Sequence, residues 1–151
     1  MDLTHCSLFA EFSAAELPVL QALAHQTTLE AGTWAFREKE TGEGVIIIGT
    51  GTLQITKQSS TGDEEELAVL SSGSYVGEIA LFSRGPRTAS GLALERVELV
   101  TLPYRELRAA LDAHPVIAAK FYKAVATEIA HRLQHMNENV VILKSFHRAR
   151  H

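Results

Sequence analysis

Two short groups of residues between positions 77 and 89 carry the clearest chemistry in this sequence. Gly77 and Glu78 open a short apolar turn, and Arg87 and Thr88 follow a Gly-Pro pair. Glycine lets the backbone enter a tight turn that other residues resist. An ionised carboxylate can only accept hydrogen bonds, whereas arginine offers a planar fork of donors that suits a phosphate. Together these groups fit a small monoanion that also carries a hydroxyl group.

A 3′,5′-cyclic nucleotide has both properties, because it combines one phosphodiester charge with a free ribose 2′-OH. If a helix begins behind Gly77, the N–H groups of its first turn add further donors. The sequence therefore predicts a cyclic mononucleotide site. The alternative is a surface loop in which Arg87 is solvated and Glu78 caps a helix. Arg84 is the weaker candidate cation, and we expect it to be a solvated loop charge.

The run Gly-Glu-Ile-Ala-Leu at 77–81, followed by Pro-Arg-Thr-Ala at 86–89, resembles the phosphate-binding cassette of cyclic nucleotide-binding domains. That family includes catabolite activator protein, kinase regulatory subunits and cyclic-nucleotide-gated channels. The two-part spacing is far more specific than a lone glycine motif. The resemblance covers nearly the whole chain. It implies that the glycine and the glutamate approach the ribose, while the arginine and its neighbours hold the cyclic phosphate.

The resemblance also implies a set of ligand-binding positions and a ligand. The predicted ligand-binding residues are Val76, Gly77, Glu78, Ile79, Ala80, Pro86, Arg87, Thr88, Ala89 and Asn137. Asn137 is included because a rough alignment of the last helix puts it near the positions that touch adenine in the family. Thr88 does not decide between the two common nucleotides. We expect cAMP, with cGMP as the alternative, and no metal or other cofactor.

The elements that must position this cassette follow from the hydrophobic pattern. Short strand-like segments of period two, separated by glycines, predict an antiparallel β-roll similar to a jelly roll within an α+β fold. The predicted strands are 28–30, 34–37, 45–48, 52–57, 66–70, 88–94 and 97–102. We expect one domain, with an N-terminal helical segment over 1–26, the roll over 27–102 and C-terminal helices over 103–151. Lys39 departs from the family, which more often has glycine there.

Helices are predicted at both ends of the roll. Ser13 and Glu16 have the spacing of a capping box, and Leu17, Leu20, Leu23 and Ala24 follow at helical intervals. Pro103 begins a helix of about three turns, and a long helix follows from Pro115 to about Lys144. Its later half carries apolar residues at alternating spacings of four and three. These residues are Ile129, Leu133, Met136, Val140 and Leu143.

This stripe predicts a homodimer seam of about two heptads, although it could instead pack on the domain's own roll. In the family that the cassette resembles, the same helix is both the dimer seam and a lid over the base. We expect the signal to pass to an unknown effector protein. Regulators of the catabolite-activator type continue into a helix-turn-helix domain, whereas this sequence ends in the basic tail 144–151, so direct DNA binding is not expected.

Composition excludes several other classes of protein. The 151 residues carry a net charge of −4, which argues against a chain that coats nucleic acid. Cys6 is the single cysteine, and the longest aliphatic run, Val45–Ile48, is too short to span a bilayer. No secretory signal is visible, so a cytoplasmic protein without membrane contact is expected.

Catalytic functions find little support in the sequence. The seven histidines fall in predicted helices or tails, so a metal site of the cupin type is disfavoured. The sequence offers no Ser-His-Asp or Cys-His arrangement and no P-loop, so we expect no enzyme. The main competitor is a domain of the same fold that mediates interactions or dimerisation without binding a nucleotide. The presence of both Arg87 and Glu78 favours binding.

Overall fold

The computed structural model describes the backbone of residues 2–149, with the side chains of residues 2–139 and 148–149. A 3-10 turn at Ser7–Phe9 precedes the first helix. The helices are α1 (Leu17–Gln21), α2 (Glu78–Ser83), α3 (Tyr104–Ala113) and α4 (Pro115–Ala149). The strands are β1 (His25–Leu29), β2 (Trp34–Phe36), β3 (Gly44–Thr50), β4 (Leu53–Gln58), β5 (Glu64–Leu70), β6 (Tyr75–Val76), β7 (Ser90–Ala93) and β8 (Val97–Pro103).

The strands form two antiparallel sheets of four strands each, and this confirms the predicted roll. One sheet has the order β1-β8-β3-β6, and the other has the order β2-β7-β4-β5. α2 is inserted between β6 and β7, so the cassette connects one sheet to the other. The long C-terminal helix is also present as predicted.

The aliphatic run of β3 explains how one strand serves two cores. Ile46 and Ile48 pack between the two sheets, together with residues of β4 and β8. Val45 and Ile47 point to the opposite face, where they pack against the helices. Successive side chains of a strand point to opposite sides, so a strand that is covered on both faces needs an unbroken apolar run.

The helices cover the outer face of the first sheet. Phe121 of α4 and Leu107 of α3 are fully buried against Leu8, Phe9 and Leu20 from the N-terminal segment. Phe9 also meets Phe12 edge to face, with ring centroids 5.3 Å apart. The N-terminal segment therefore packs onto the C-terminal helices, and α4 is anchored by its first half.

The N-terminal helix is shorter than the spacing predicts. The capping box forms, since the Ser13 N–H donates to Glu16 Oε1 at 2.8 Å and the Glu16 N–H donates to Ser13 Oγ at 3.2 Å. The helix nevertheless ends at Gln21. His25, which was expected in a helix or tail, begins β1 and pairs with Thr101. Pairing along β8 overrides the local helical pattern there.

Two other predicted features have different boundaries or lie outside the description. The strand predicted over 88–94 covers only Ser90–Ala93, because Arg87 to Ala89 belong to the cassette loop. The side chains of Val140 and Leu143, as well as those of residues 144–147, lie outside the described residues.

No helix among the described residues is long and apolar enough to cross a membrane.

An ion pair between Glu16 and Lys120 ties the N-terminal segment to α4 and makes stability depend on pH. The Lys120 ammonium, helped by the Ser13 N–H, lowers the pKa of Glu16 from 4.5 to about 2. Because the folded pKa lies below the unfolded one, the stabilisation is complete above about pH 4.5 and is lost as the pH falls towards 2. We expect Glu16→Gln to be less stable than the wild type at neutral pH, and the difference should vanish over that window in urea denaturation curves.

Glutamine can still accept the capping hydrogen bond, so this substitution tests the charge alone. The matched control is Glu11→Gln, which removes the more exposed pair between Glu11 and Lys123 (3.3 Å). That control should change the free energy of unfolding by less than about 0.5 kcal/mol. A stability difference for Glu16→Gln that does not depend on pH would contradict the assignment.

Candidate functional site

Gly77 is where the chain turns from β6 into α2. It precedes Glu78 and has a φ of 89°, in the left-handed region that favours glycine. A Cβ atom at this position would lie 2.2 Å from Arg87 Nη1 and 2.9 Å from Tyr104 Oη. Both the backbone conformation and the close approach of Arg87 therefore require glycine.

A cavity of about 240 Å³, which we name the cassette cavity, opens beside this turn. All the predicted site residues except Asn137 line it, which brings both halves of the cassette to one place. Its further lining residues come from β2, β4, β5, α2 and α4, and they are Phe36, Ile55, Leu67, Ser83 and Arg132. The cavity thus combines apolar walls with one carboxylate and two guanidinium groups.

Glu78 is buried, with 3% of its surface exposed, and its carboxylate has a cationic partner from α4. Arg132 Nη1 donates to Glu78 Oε1 at 2.8 Å. Arg132 Nε also lies 3.4 Å from Glu128, one turn earlier on the same helix. A buried carboxylate needs a cation or several donors, so Glu78 requires this partner. The contact ties the cassette directly to α4.

Arg87 is buried as well, with 7% of its surface exposed, and its side chain donates hydrogen bonds to two other parts of the fold. Nη2 donates to the carbonyl of Gly44 at 2.9 Å, and Nη1 donates to Tyr104 Oη at 3.2 Å. Tyr104 in turn donates to the carbonyl of Gly77 at 2.6 Å. Burial raises the pKa of Tyr104, although the nearby Arg87 opposes the rise. Arg87 Nε has no hydrogen-bond partner among the described residues.

The loop before β3 is paired to the backbone of Arg87. The Lys39 N–H donates to the Arg87 carbonyl, and the Arg87 N–H donates to the Glu40 carbonyl, both at 2.8 Å. Lys39 has a φ of 72°, a conformation that glycine adopts more easily than lysine does. This explains physically why glycine would suit the position at which the sequence departs from the family. The loop nevertheless adopts this conformation, and its two backbone hydrogen bonds hold it against Arg87.

Two predicted features lie away from the cavity. Asn137 is exposed on α4 and does not line the cassette cavity. It follows Arg132 by five residues, which at the helical rise places it about 7–8 Å further along the axis. Arg84 is exposed, as expected for a solvated charge. It follows the last residue of α2 and has a φ of 57°.

Sequence reasoning missed both Arg132 and Tyr104 as residues of the site. Each contacts the cassette from another element, so no local pattern points to it. A weak signal existed for Arg132, because a glutamate expected to enter a cavity must find a cation. Among the described residues, no three His, Cys, Asp or Glu side chains are placed to hold a metal ion.

Comparison with known proteins now gives the family. A family model described as cyclic nucleotide-binding domain matches residues 26–114, which include every strand but the first residue of β1. The chain belongs to the cyclic nucleotide-binding domain family. A CRP-like cAMP-activated global transcriptional regulator of Mycobacterium tuberculosis is 27% identical over 135 residues, which cover 87% of this chain and 58% of that protein. The chain thus spans just over half the length of that relative.

Solved structures of the family have the same architecture. The N-terminal domain of a transcriptional regulator from Streptomyces coelicolor A3(2) has a TM-score of 0.75 and 32% identity, with 91% of this chain and 96% of that chain covered. The regulatory domain of Toxoplasma gondii PKA, solved with cAMP, has a TM-score of 0.66 and 27% identity. In that case the match covers 72% of this chain and 41% of the other.

The contact between Arg132 and Glu78 predicts a measurable coupling between α4 and the cassette. Arg132→Leu leaves a buried carboxylate without its cation, and we expect a loss of about 1–3 kcal/mol in the free energy of unfolding. Arg132→Leu should cost less when residue 78 is already glutamine, because no buried carboxylate is then left without its cation. A double-mutant cycle should therefore give a coupling energy of about 0.5–3 kcal/mol. Urea denaturation of the four proteins measures it.

The control is Glu128→Gln, which removes the carboxylate one turn before Arg132, a partner more accessible than Glu78, and should cost less than about 0.5 kcal/mol. Additive effects of Arg132→Leu and Glu78→Gln would show that the two side chains do not interact energetically.

Proposed function

We propose that this domain binds a cyclic mononucleotide, cAMP in preference to cGMP, in the cassette cavity and passes the signal to a partner protein through α4. The observation that carries the proposal is the convergence of Glu78, Arg87 and Gly77 on one cavity. Its volume of about 240 Å³ lies close to the lower end of the usual range for small-molecule sites. The preference for cAMP rests on two similar proteins, a cAMP-activated regulator and a regulatory domain solved with cAMP.

The proposed roles follow from what each group can donate or accept. Arg87 supplies positive charge to the cyclic phosphate, and Thr88, which is exposed in the same cavity, supplies a hydroxyl. Glu78 accepts a hydrogen bond from the ribose 2′-OH. A carboxylate has about four acceptor sites, so it can hold Arg132 and the hydroxyl at the same time. The apolar walls of Ile55 and Val76 cover the sugar and the base.

The proposed relay runs through Arg132. The side chain that neutralises Glu78 belongs to α4, so any change in the surroundings of Glu78 changes a contact of that helix. Beyond this point α4 exposes large apolar side chains, with 54% of Leu133 and 61% of Met136 accessible. A second copy of the chain is the proposed occupant of that surface. We keep Asn137 as a proposed contact with the base, reached when α4 moves over the cavity.

A second candidate function is an interaction or dimerisation module that binds no nucleotide. It is favoured by one observation: Arg87 and Glu78 both have protein partners already. In that case the two charges are structural, and their role is to hold β3, α3 and α4 against the cassette. The experiments below separate the two candidates, because only nucleotide binding gives a change that depends on ligand.

Binding of a cyclic nucleotide should raise the thermal stability of the domain. At a ligand concentration a hundredfold above Kd, linkage gives about 2.7 kcal/mol. For a chain of this size we expect Tm to rise by roughly 5 to 10 °C. Differential scanning fluorimetry with cAMP, cGMP and 5′-AMP measures the shift, and the open nucleotide serves as the negative control. An unchanged Tm with every cyclic mononucleotide at millimolar concentration favours the interaction module.

Substitutions in the cassette should separate the contribution of the phosphate contact to binding from that of the ribose contact. Arg87→Leu removes a buried cation from the phosphate, so we expect a loss of about 3–5 kcal/mol in binding free energy. Glu78→Ala should lose about 1.5–3 kcal/mol, the value of a hydrogen bond to a charged group. The wild type should bind 2′-deoxy-cAMP weakly, whereas Glu78→Ala should scarcely distinguish it from cAMP. Fluorescence competition assays give these affinities.

The matched control for Arg87→Leu is Arg84→Leu, which removes an exposed arginine from the same loop. It should bind cAMP with unchanged affinity, and circular dichroism should confirm that both variants are folded. A preference for the 2′-OH that persists undiminished in Glu78→Ala would refute the role of Glu78.

Movement of α4 should be visible without any knowledge of the partner. We expect amide hydrogen exchange over residues 129–143 to slow when cAMP is added, because a lid gains contacts when it closes. Leu133→Asp should give monomers in analytical ultracentrifugation that bind cAMP more weakly than the wild type does. The control is Leu94→Asp, which places the same charge at another exposed leucine far along the chain. If exchange, mass and affinity are all unchanged, α4 is a passive cover.

A further inference from the structure

The short helix α2 forms one wall of the cassette cavity but buries few side chains. It has six residues, and a helix of that length is not stable by itself in water. The side chains of Glu78 and Leu81 are buried, whereas Ile79 and Phe82 are about half exposed. Because Glu78, Ile79 and Ala80 line the cassette cavity, the direction of α2 decides what the cavity presents to a ligand.

An arginine of α3 binds the carbonyl groups near the end of α2. The last carbonyls of a helix have no partner within it, and a cation near them interacts favourably with the helix dipole. Arg108 Nη2 donates to the carbonyl of Leu81 at 3.1 Å and to that of Ala80 at 3.3 Å. Arg108 Nε also donates to the carbonyl of Leu81, at 3.3 Å. One guanidinium group thus holds two consecutive carbonyls of α2.

The other end of α2 is bonded to the same helix. Tyr104 donates to the carbonyl of Gly77, the residue before α2, at 2.6 Å. Tyr104 and Arg108 are four residues apart and therefore lie on one face of α3, with the guanidinium 5.4 Å from the centroid of the Tyr104 ring. Leu107 and Leu111 fix α3 in the core. One face of α3 therefore holds both ends of α2.

We propose that Arg108 is a positioning residue of the cassette, which together with Tyr104 sets the direction of α2 on α3. Arg108 does not line the cassette cavity, so it acts on a ligand through α2. Its effect on the nucleotide rests on the proposed function, in which Glu78 binds the ribose 2′-OH. Without Arg108 the end of α2 is released, and the Glu78 carboxylate loses its alignment with that hydroxyl.

The phosphate contact depends much less on α2. The backbone of Arg87 pairs with Lys39 and Glu40, and its side chain donates to the carbonyl of Gly44 at 2.9 Å. None of these partners belongs to α2. Loss of Arg108 should therefore weaken the ribose contact and leave the phosphate contact in place.

The first experiment tests the attachment of α2 and involves no nucleotide. Amide hydrogen exchange is measured by NMR for the wild type and for Arg108→Leu. We expect the amides of residues 82–84 to exchange about tenfold faster in the variant, because the end of α2 opens locally. Amides of β3 report opening of the whole domain, so their exchange should accelerate far less.

Two further variants serve as controls. Arg105→Leu removes the same charge from an exposed position of α3, and exchange in α2 should equal that of the wild type. Arg108→Lys keeps the charge and can donate to one carbonyl at a time, so we expect an intermediate rate, about threefold above the wild type. Exchange at 82–84 that is unchanged in Arg108→Leu, or that rises only in parallel with β3, overturns the proposal. If Arg108→Leu does not fold, an unchanged rate in Arg108→Lys overturns it.

The second experiment tests the positioning of Glu78. Fluorescence competition gives the Kd values of cAMP and 2′-deoxy-cAMP for the wild type and the three variants. We expect Arg108→Leu to bind cAMP about tenfold more weakly, the lower end for loss of a hydrogen bond to a charged group. Its affinity for 2′-deoxy-cAMP should be nearly unchanged, so the preference for the 2′-OH shrinks. Arg108→Lys should recover part of that preference, and Arg105→Leu should keep all of it.

The ratio of the two Kd values separates positioning from general stability. A loss of global stability lowers the affinity for both nucleotides by one factor and cannot change their ratio. Equal weakening of both nucleotides, or unchanged affinity for both while exchange in α2 rises, would show that Arg108 only stabilises the fold. If the wild type binds no cyclic nucleotide, the proposed function fails, and the exchange experiment still decides whether Arg108 holds α2.

Discussion

The hydrogen bonds of Arg87 hold the cassette in place. The buried guanidinium group joins the cassette loop to Gly44 at the start of β3 and to Tyr104 at the start of α3. Tyr104 in turn donates a hydrogen bond to the carbonyl of Gly77, which is also part of the cassette. The backbone of Arg87 is fixed as well, by its pairing with Lys39 and Glu40. The position of this arginine is therefore set by the whole fold, although the motif that contains it is short.

Glu78 plays the complementary part, because it connects the cassette to the long helix α4. Its buried carboxylate is neutralised by Arg132 from α4, and the first half of α4 is anchored in the core by Phe121. Glu78 and Arg87 thus bring opposite charges to one cavity, and each of them is bonded to a different helix. A ligand that addresses both charges acts on both helices, which is the physical basis of the relay proposed above.

The parts of this site that sequence could predict are those carried by local patterns. The cassette motif located Glu78 and Arg87, and the succession of short strand-like segments separated by glycines predicted the roll. Arg132 and Tyr104 could not be found in this way. Arg132 lies 54 residues from Glu78 in the chain, and Tyr104 lies 27 residues from Gly77, so no local pattern connects them to the cassette. The same reason explains His25, whose strand exists only because β8 lies beside it. Tertiary partners also explain Lys39, which adopts the conformation of a glycine because Arg87 holds its backbone.

The central claim is that a cyclic mononucleotide binds between Glu78 and Arg87. Calorimetric titration of the purified chain with cAMP, with cGMP and with a cyclic dinucleotide tests it most directly, since heat and stoichiometry need no probe on the protein. The account predicts one cyclic mononucleotide per chain, with cAMP bound more tightly than cGMP and no saturable heat from the cyclic dinucleotide. No saturable heat from either cyclic mononucleotide would contradict it and leave Arg87 and Glu78 as purely structural charges.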